Sequence, residues 1–159
     1  MQRAHHVSVI RLSGTSQARE ACDVVRRSIT QCCALDHANE PAVLQTWLAN
    51  KTPENLAAWM LAPGAMSWGA LRSGELVGFA LLTGGSLALC YVVPEVLHQG
   101  VGHALLAAAE VGARQAGLEA VSLESTRMAE AFYRRNGYRP DGAVQRWAGL
   151  QAQPMRKRL

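Results

Sequence analysis

The sequence lacks any long hydrophobic run, and this absence sets the first limit on the class of protein. No apolar stretch in its 159 residues approaches the roughly 18–20 residues that a membrane-spanning helix needs. The opening residues MQRAHHVSVIRL contain no apolar core followed by a small-residue cleavage site, so no signal peptide is expected. We therefore expect a cytoplasmic protein without a membrane partner.

The cysteines and histidines of the sequence do not stand at the spacings that metal sites use. The four cysteines are Cys22, Cys32, Cys33 and Cys90; they form no C-x-x-C pair, and no histidine cluster stands at ligand spacing. Adjacent Cys32 and Cys33 are poor disulfide partners for each other. We therefore predict reduced thiols and no metal ion.

The sequence has a modest excess of positive charge, with a formal net charge of +4. A positive balance suits either a nucleic acid or a phosphate-rich cofactor. The densest basic run, Arg156-Lys157-Arg158, is short and has no interleaved aromatic residues, which a nucleic-acid stacking surface would require. A nucleic-acid partner is therefore not expected.

Hydrophobic patterning predicts one domain over residues 1–159, with a mixed α/β fold. A strand and several helices precede a three-strand meander, which is followed by a helix, a strand, a helix and two strands. This order predicts a mixed sheet of about six to seven strands flanked by helices, with one parallel, right-handed crossover through the long helix. Ser16 and Thr52 are the predicted N-caps. The predicted strands are 7–12, 67–71, 76–83, 87–93, 121–124, 143–148 and 154–159, and the predicted helices are 16–33, 41–49, 52–60, 101–117 and 128–136.

The stretch HQGVGHALL, residues 98–106, places two glycines where a helix must begin. Glycine disfavours helix by roughly 0.5–1 kcal/mol relative to alanine, so its presence needs a reason. One reason is a phosphate held by free N–H groups of the first helical turn, which missing side chains would allow to come close. The other is a tight strand-to-helix turn. The dinucleotide and P-loop fingerprints do not fit, because Leu105 replaces the third glycine and His103-Ala104 follow Gly102.

The stretch CYVVPEVLHQGVGHALL resembles the acetyl-coenzyme A motif of the Gcn5-related N-acetyltransferase (GNAT) family. That motif is a strand ending in V-x-P followed by [QR]-x-x-G-x-[GA]. The following helix resembles the family's second motif, A-x-x-F-Y-x-x-x-G-[FY], and the separation of the two motifs also fits. The matching residues are Val92, Val93, Pro94, Gln99, Gly102 and Ala104 in the first motif, and Ala129, Phe132, Tyr133, Gly137 and Tyr138 in the second.

This resemblance implies a GNAT-like sheet that is splayed in the middle to hold coenzyme A. The gap is expected between residues 90–93 and 121–124, with a backbone N–H near Val92 facing the thioester carbonyl. Tyr133 matches the family tyrosine that protonates the leaving thiolate. The expected residues that bind acetyl-CoA, the cosubstrate, are Val92, Gln99, Gly100, Val101, Gly102, His103 and Ala104.

The function expected from the resemblance is acetyl transfer from acetyl-CoA to a primary amine of a small molecule or peptide by direct attack. Asp36, His37, Glu40 and Glu124 are candidates for the base that deprotonates the amine, as is a water chain, and Asp36 and Glu40 near Trp47 hint at a cationic acceptor. The alternatives left open are a covalent acetyl-cysteine route and a non-catalytic acyl-CoA-binding sensor. Homodimers are common in this family, so a homodimer is compatible with the resemblance.

Overall fold

The computed structural model describes residues 6–159; residues 1–5 of the predicted domain lie outside the described part. Six α-helices and eight strands form its framework, and a short turn of 3₁₀ helix, Pro94–Val96, joins β4 to α5. The helices are α1 Ala18–Cys32, α2 Ala34–His37, α3 Pro41–Leu48, α4 Pro53–Leu61, α5 Val101–Gln115 and α6 Glu130–Arg135. The strands are β1 Val7–Leu12, β2 Met66–Arg72, β3 Glu75–Thr83, β4 Ser86–Val92, β5 Ala120–Ser125, β6 Arg139–Pro140, β7 Gln145–Trp147 and β8 Leu150–Arg158.

Local chemistry explains where α4 begins but not where α1 begins. The Thr52 side chain accepts a hydrogen bond from Asn55 N–H at 3.1 Å, and Pro53 occupies the first helical position, as predicted. The prediction that Ser16 caps α1 was wrong. The helix starts at Ala18 without a side-chain cap, because the Ser16 hydroxyl is bonded to the Gln17 side chain instead.

The strands form one mixed sheet in the order β1-β2-β3-β4-β5-β8-β6, and β7 pairs with β8 to one side of this path. The meander is antiparallel from β1 to β4, and the pairing of β4 with β5 is parallel, which confirms the predicted crossover connection. Eight strands exceed the expected six to seven because Arg139–Pro140 is too short to show a period of two.

Helices pack on both faces of this sheet. Gly78 of β3 faces α5, since a Cβ added there would lie 2.8 Å from Leu105 Cδ1. Leu81, which points to the other face, borders the same cavity as Trp59 of α4. Close approach of α5 to the sheet depends on Gly112, where a Cβ would overlap the buried Trp68 ring. This packing fixes the position of the N-terminus of α5.

The segment between α1 and α3, for which no helix was predicted, is partly helical. After Cys33 the chain forms the one-turn helix α2, and Ala38 and Asn39 then adopt left-handed conformations with φ of 54° and 57°. This turn buries Asp36 and His37, two of the candidate bases.

Two further structural findings concern the cysteines and the apolar character of the helices. The four cysteines are free thiols. Within residues 6–159 no helix combines the length and the apolar character needed to cross a bilayer.

Candidate active site

The candidate site lies in a gap between β4 and β5. Their parallel pairing covers only Ser86 with Ser122 and Leu87 with Leu123, although β4 continues to Val92. The two strands diverge because β4 stays paired with β3 to its end, whereas β5 stays paired with β8 along its whole length. The sheet is therefore splayed in the middle, as expected.

The border of the gap on β5 differs from the expected residues 121–124. Ser122 and Leu123 belong to the paired part, so the open edge of β5 begins at Glu124. The difference moves the border of the gap toward the carboxyl end of β5.

The alternation of hydrogen bonds along β4 directs one backbone donor into this gap. Val93 N–H donates to the Val77 carbonyl of β3 at 2.9 Å. The N–H of Val92 therefore points to the opposite edge of β4, from which β5 has moved away. Backbone donors away from solvent need an acceptor, and β5 offers none at this position. The Val92 N–H is therefore available to a ligand.

A cavity of about 760 Å³ opens on one side of the gap, between β4, the start of α5 and α6. We call it the coenzyme cavity. Five of the seven predicted coenzyme-binding residues line it, together with the predicted acid Tyr133; these five are Val92, Gly100, Val101, Gly102 and His103.

Gln99 and Ala104, the other two predicted contacts, are arranged differently. The Gln99 amide donates to the Glu95 carbonyl at 3.1 Å, which turns it back onto the preceding turn. Ala104 N–H donates to the Gly100 carbonyl at 3.0 Å, which is the first helical bond of α5. Neither residue lines the coenzyme cavity.

The first turn of α5 presents free backbone donors to this cavity. Within residues 6–159 the N–H groups of Val101, Gly102 and His103 have no protein acceptor, as expected for the first turn of a helix. The helix has 15 residues, so its dipole adds partial positive charge at this end. Together these features suit a diphosphate.

The two glycines at this turn serve different needs. Gly100 is the N-cap with φ of 82°, a left-handed conformation that residues with a Cβ rarely adopt. Gly102 has helical geometry, and a Cβ there would make ordinary contact with the Phe132 ring at 3.5 Å. A longer side chain at Gly102 would enter the coenzyme cavity, so Gly102 keeps space open, whereas Gly100 shapes the turn.

His103 connects the first turn of α5 to the end of α6. Its Nδ1 lies 2.7 Å from Asn136 Oδ1, and the Asn136 amide nitrogen donates to the Phe132 carbonyl. Since that bond orients the Asn136 oxygen toward the histidine, Nδ1 is the donor. The contact holds α5 and α6 together beside the coenzyme cavity.

Tyr133 is buried in the wall of the coenzyme cavity, beside the Cys90 side chain of β4. Burial, followed by the charges of Cys90 and Tyr91, raises the pKa of Tyr133 well above the ordinary value of a phenol. The hydroxyl is therefore a proton donor throughout the neutral range.

Three cysteines also line the coenzyme cavity, but their environment keeps them protonated. Burial raises the pKa of both Cys33 and Cys90 to about 12, and burial also raises the pKa of Cys32. The thiolate is the nucleophilic form of cysteine, so none of the three is activated for attack.

A second cavity of about 320 Å³ borders the gap at Tyr91 of β4 and Glu124 of β5, and we call it the acceptor cavity. Tyr91 of β4 lines both cavities, so its ring marks the place where the two meet. The acceptor cavity is lined by Asp36, Trp47, Asn50, Lys51, Tyr91, Glu124, Thr126, Gln145, Trp147, Leu150, Gln151 and Ala152.

The sequence did not single out Tyr91, Lys51 or Trp147 as site residues. Tyr91 had one usable signal, its position in the strand directly before the V-x-P motif. Lys51 and Trp147 had none, because they meet only when the β7–β8 hairpin folds over α3. A Cβ added at Gly149, in the turn of this hairpin, would lie 3.0 Å from Val43 Cγ2.

The structure places the four candidate bases in different environments. His37 is a buried structural residue: Nε2 lies 2.9 Å from the Ile29 carbonyl and Nδ1 accepts from Asn39 N–H. The Asp36 carboxylate is also engaged, since it accepts the N–H groups of Arg127 and Met128 at 2.7 and 3.2 Å. Glu40 does not line the acceptor cavity, whereas Glu124 does.

The described residues contain no cluster suited to a metal ion. No group of three or more His, Cys, Asp or Glu side chains in residues 6–159 is arranged to hold one.

Comparisons with known proteins agree with this geometry. Residues 33–159 match the acetyltransferase (GNAT) domain family. The aminoalkylphosphonate N-acetyltransferase of Salmonella typhimurium is 32% identical over 138 residues, and the match covers 72% of this chain and 90% of that protein.

Solved structures show the same fold. A GCN5-related N-acetyltransferase from Rhodopseudomonas palustris superposes with a TM-score of 0.83 at 23% identity and covers 100% of both chains. The PaiA N-acetyltransferase of Thermoplasma acidophilum, solved in complex with coenzyme A, superposes with a TM-score of 0.78 at 19% identity over 97% of this chain and 99% of the other.

Proposed function

Since this chain belongs to the GNAT acetyltransferase family and is an acetyl-CoA-dependent N-acyltransferase, we propose that it acetylates the primary amine of a small molecule or peptide by direct attack on the thioester. One observation carries the proposal. Two cavities border the β4–β5 gap and share Tyr91. Acetyl-CoA in one cavity and the amine in the other can therefore meet beside this residue.

In this proposal the free N–H groups of Val101, Gly102 and His103 bind the diphosphate of the cosubstrate. The Val92 N–H donates a hydrogen bond to the thioester oxygen, on which negative charge develops as the amine attacks. Tyr133 then donates its proton to the departing thiolate. The orientation of the Val92 N–H supports the first role, and the position of protonated Tyr133 in the wall of the coenzyme cavity supports the second.

Direct attack is favoured over an acetyl-cysteine route. With a pKa of about 12, Cys33 and Cys90 would carry almost no thiolate near neutral pH. The amine therefore meets the thioester without a covalent enzyme intermediate.

The acceptor is a small amine rather than a long peptide in this proposal. A cavity of about 320 Å³, covered by the β7–β8 hairpin, has the size of a small-molecule site. The Salmonella typhimurium relative is named for aminoalkylphosphonates, so we include these amines among the proposed acceptors.

The proposal is tested by measuring the release of free coenzyme A thiol from acetyl-CoA in the presence of an amine panel. The panel contains alkylamines, diamines, amino acids, aminoalkylphosphonates and peptide N-termini. We expect amine-dependent release and an acetylated product detected by mass spectrometry. Tight coenzyme A binding with no release across the panel would contradict the proposal and favour a sensor.

A further inference from the structure

The acceptor cavity contains a lysine that has no acidic partner. Lys51 follows α3, and its side chain is partly buried in the cavity wall. Its Nζ donates to the Trp47 carbonyl at 3.3 Å and to Asn50 Oδ1 at 2.7 Å, which occupies two of its three protons. It forms no ion pair with any residue in 6–159.

Partial burial makes Lys51 a candidate for binding an anion. Removal of an ammonium group from water is unfavourable unless an opposite charge or hydrogen bonds replace the solvent. The direction of its pKa agrees, since burial lowers the pKa of Lys51. A ligand anion beside Nζ would offset this cost and use the remaining proton.

The same cavity contains a carboxylate that is free to bind a cation. Glu124 lies at the open edge of β5, with no hydrogen bond or ion pair to residues 6–159. The neighbouring Asp36 is buried, and each of its two oxygens already accepts a backbone N–H group of the β5–α6 loop. Glu124 is therefore the more accessible carboxylate for an ammonium group in this cavity.

Aromatic side chains provide much of the remaining wall. Trp47, Tyr91 and Trp147 line the cavity, and Trp147 is 58% exposed. Their rings suit a short aliphatic chain and also favour a cation near their faces. A molecule with an ammonium group, an anionic group and an aliphatic part matches all three features.

We propose that the acceptor is a small zwitterionic amine, whose anionic group is bound by Lys51 and whose ammonium group is bound by Glu124 before the proton is lost. This inference rests on the proposed acetyltransferase function and adds the chemistry of the acceptor. The anion can be a phosphonate or a carboxylate, since both offer oxygen acceptors to Nζ.

Four amines that share a three-carbon spacer test the proposal. They are 3-aminopropylphosphonate, 4-aminobutyrate, n-butylamine and 1,3-diaminopropane, assayed by thiol release with saturating acetyl-CoA. We expect kcat/KM for at least one zwitterion to exceed that of n-butylamine and of the diamine by about tenfold or more. The two zwitterions distinguish a phosphonate from a carboxylate site.

Substitution of Lys51 tests the anion-binding role. We expect Lys51→Met to remove the preference for the zwitterion, mainly by raising the KM for the zwitterion. Lys51→Arg should retain most of the preference because it keeps the positive charge.

Arg26 offers a matched control. It donates to the Leu48 and Lys51 carbonyls at 2.9 Å, so it supports the same segment, but it does not line the acceptor cavity. Arg26→Met should preserve the zwitterion preference even if it lowers stability. A loss of preference in Arg26→Met equal to that in Lys51→Met would show that Lys51 is only structural, and would overturn the inference.

Glu124→Gln tests the other end of the acceptor. We expect KM for 3-aminopropylphosphonate to rise about fivefold or more, with the dissociation constant of coenzyme A unchanged. An unchanged KM would show that Glu124 does not bind the ammonium group of the acceptor.

The outcomes separate this inference from the proposed function. Equal kcat/KM for all four amines in the wild-type enzyme would overturn the zwitterion proposal and leave acetyl transfer established. Absence of thiol release with every amine would count against both.

Discussion

Tyr133 and Tyr138 are neighbouring buried tyrosines whose hydroxyl groups face different surroundings. Their rings pack edge to face with centroids 5.7 Å apart. The Tyr138 hydroxyl donates to Glu110 Oε2 at 2.9 Å, away from the coenzyme cavity, whereas Tyr133 lines that cavity. The pair therefore offers a matched comparison between a structural phenol and the proposed catalytic phenol.

At the scale of a single residue, Tyr133→Phe is expected to lower kcat at least tenfold. The ring and its packing remain, but the leaving thiolate loses its proton donor. The dissociation constant of coenzyme A, measured by calorimetry, should change less than about twofold.

Tyr138→Phe is the control for this change. It should lower the free energy of unfolding by about 1–3 kcal/mol, since Glu110 loses a buried donor, and leave kcat per folded molecule unchanged. Wild-type kcat in a folded Tyr133→Phe variant would remove the acid role.

At the scale of an element, the start of α5 combines a glycine that shapes the turn with a glycine that leaves space. Gly100 has a left-handed backbone, and the position of Gly102 borders the Phe132 ring. Changes at the two positions should therefore separate folding stability from coenzyme binding.

Gly102→Leu is expected to raise the dissociation constant of coenzyme A at least tenfold, because its side chain would extend into the coenzyme cavity. Gly100→Ala should instead lower the free energy of unfolding by about 1–2 kcal/mol through backbone strain. Calorimetric titration and urea denaturation measure the two effects. Unchanged affinity in Gly102→Leu would contradict diphosphate binding at this turn.

At the scale of the whole molecule, a buried polar cluster connects the long helix to the last strand. Glu110 of α5 is 6% exposed and accepts from Tyr138 and from Lys157 Nζ of β8, the latter at 2.8 Å. The cluster joins elements that the sheet alone does not hold together, since β8 pairs only with β5, β6 and β7.

Glu110→Ala is expected to lower the free energy of unfolding by about 2–4 kcal/mol, because Tyr138 and Lys157 lose their shared acceptor. A double-mutant cycle with Lys157→Met, measured in urea, should be non-additive. Additive losses would show that the ion pair contributes little.

Coenzyme A binding should also stabilise the entire fold, since α1, β4, α5 and α6 all contribute to its cavity. At a concentration about 100 times the dissociation constant, linkage predicts a gain of about 2.7 kcal/mol. For a chain of 159 residues this corresponds to a rise in Tm of about 5–10 °C. The Gly102→Leu variant should show a smaller rise at the same concentration.

The sequence by itself determined the family, the mixed fold and the main elements. Local signals carry that information: Thr52 and Pro53 start α4, and the V-x-P strand followed by glycines predicts the turn into α5. These features depend on contacts within a few residues, so a linear pattern contains them. The roles of Tyr133 and of the predicted coenzyme-binding residues remain predictions.

Only the tertiary structure decided which side chains line the gap and the acceptor cavity. His37 became a buried structural residue because α2 folds against Ile29, and Glu124 borders the gap because β5 follows β8 away from β4. Tyr91 and Lys51 meet Trp147 in one cavity across about 100 residues of chain. Such contacts arise from strand pairing and hairpin placement, which are long-range events that no local spacing encodes.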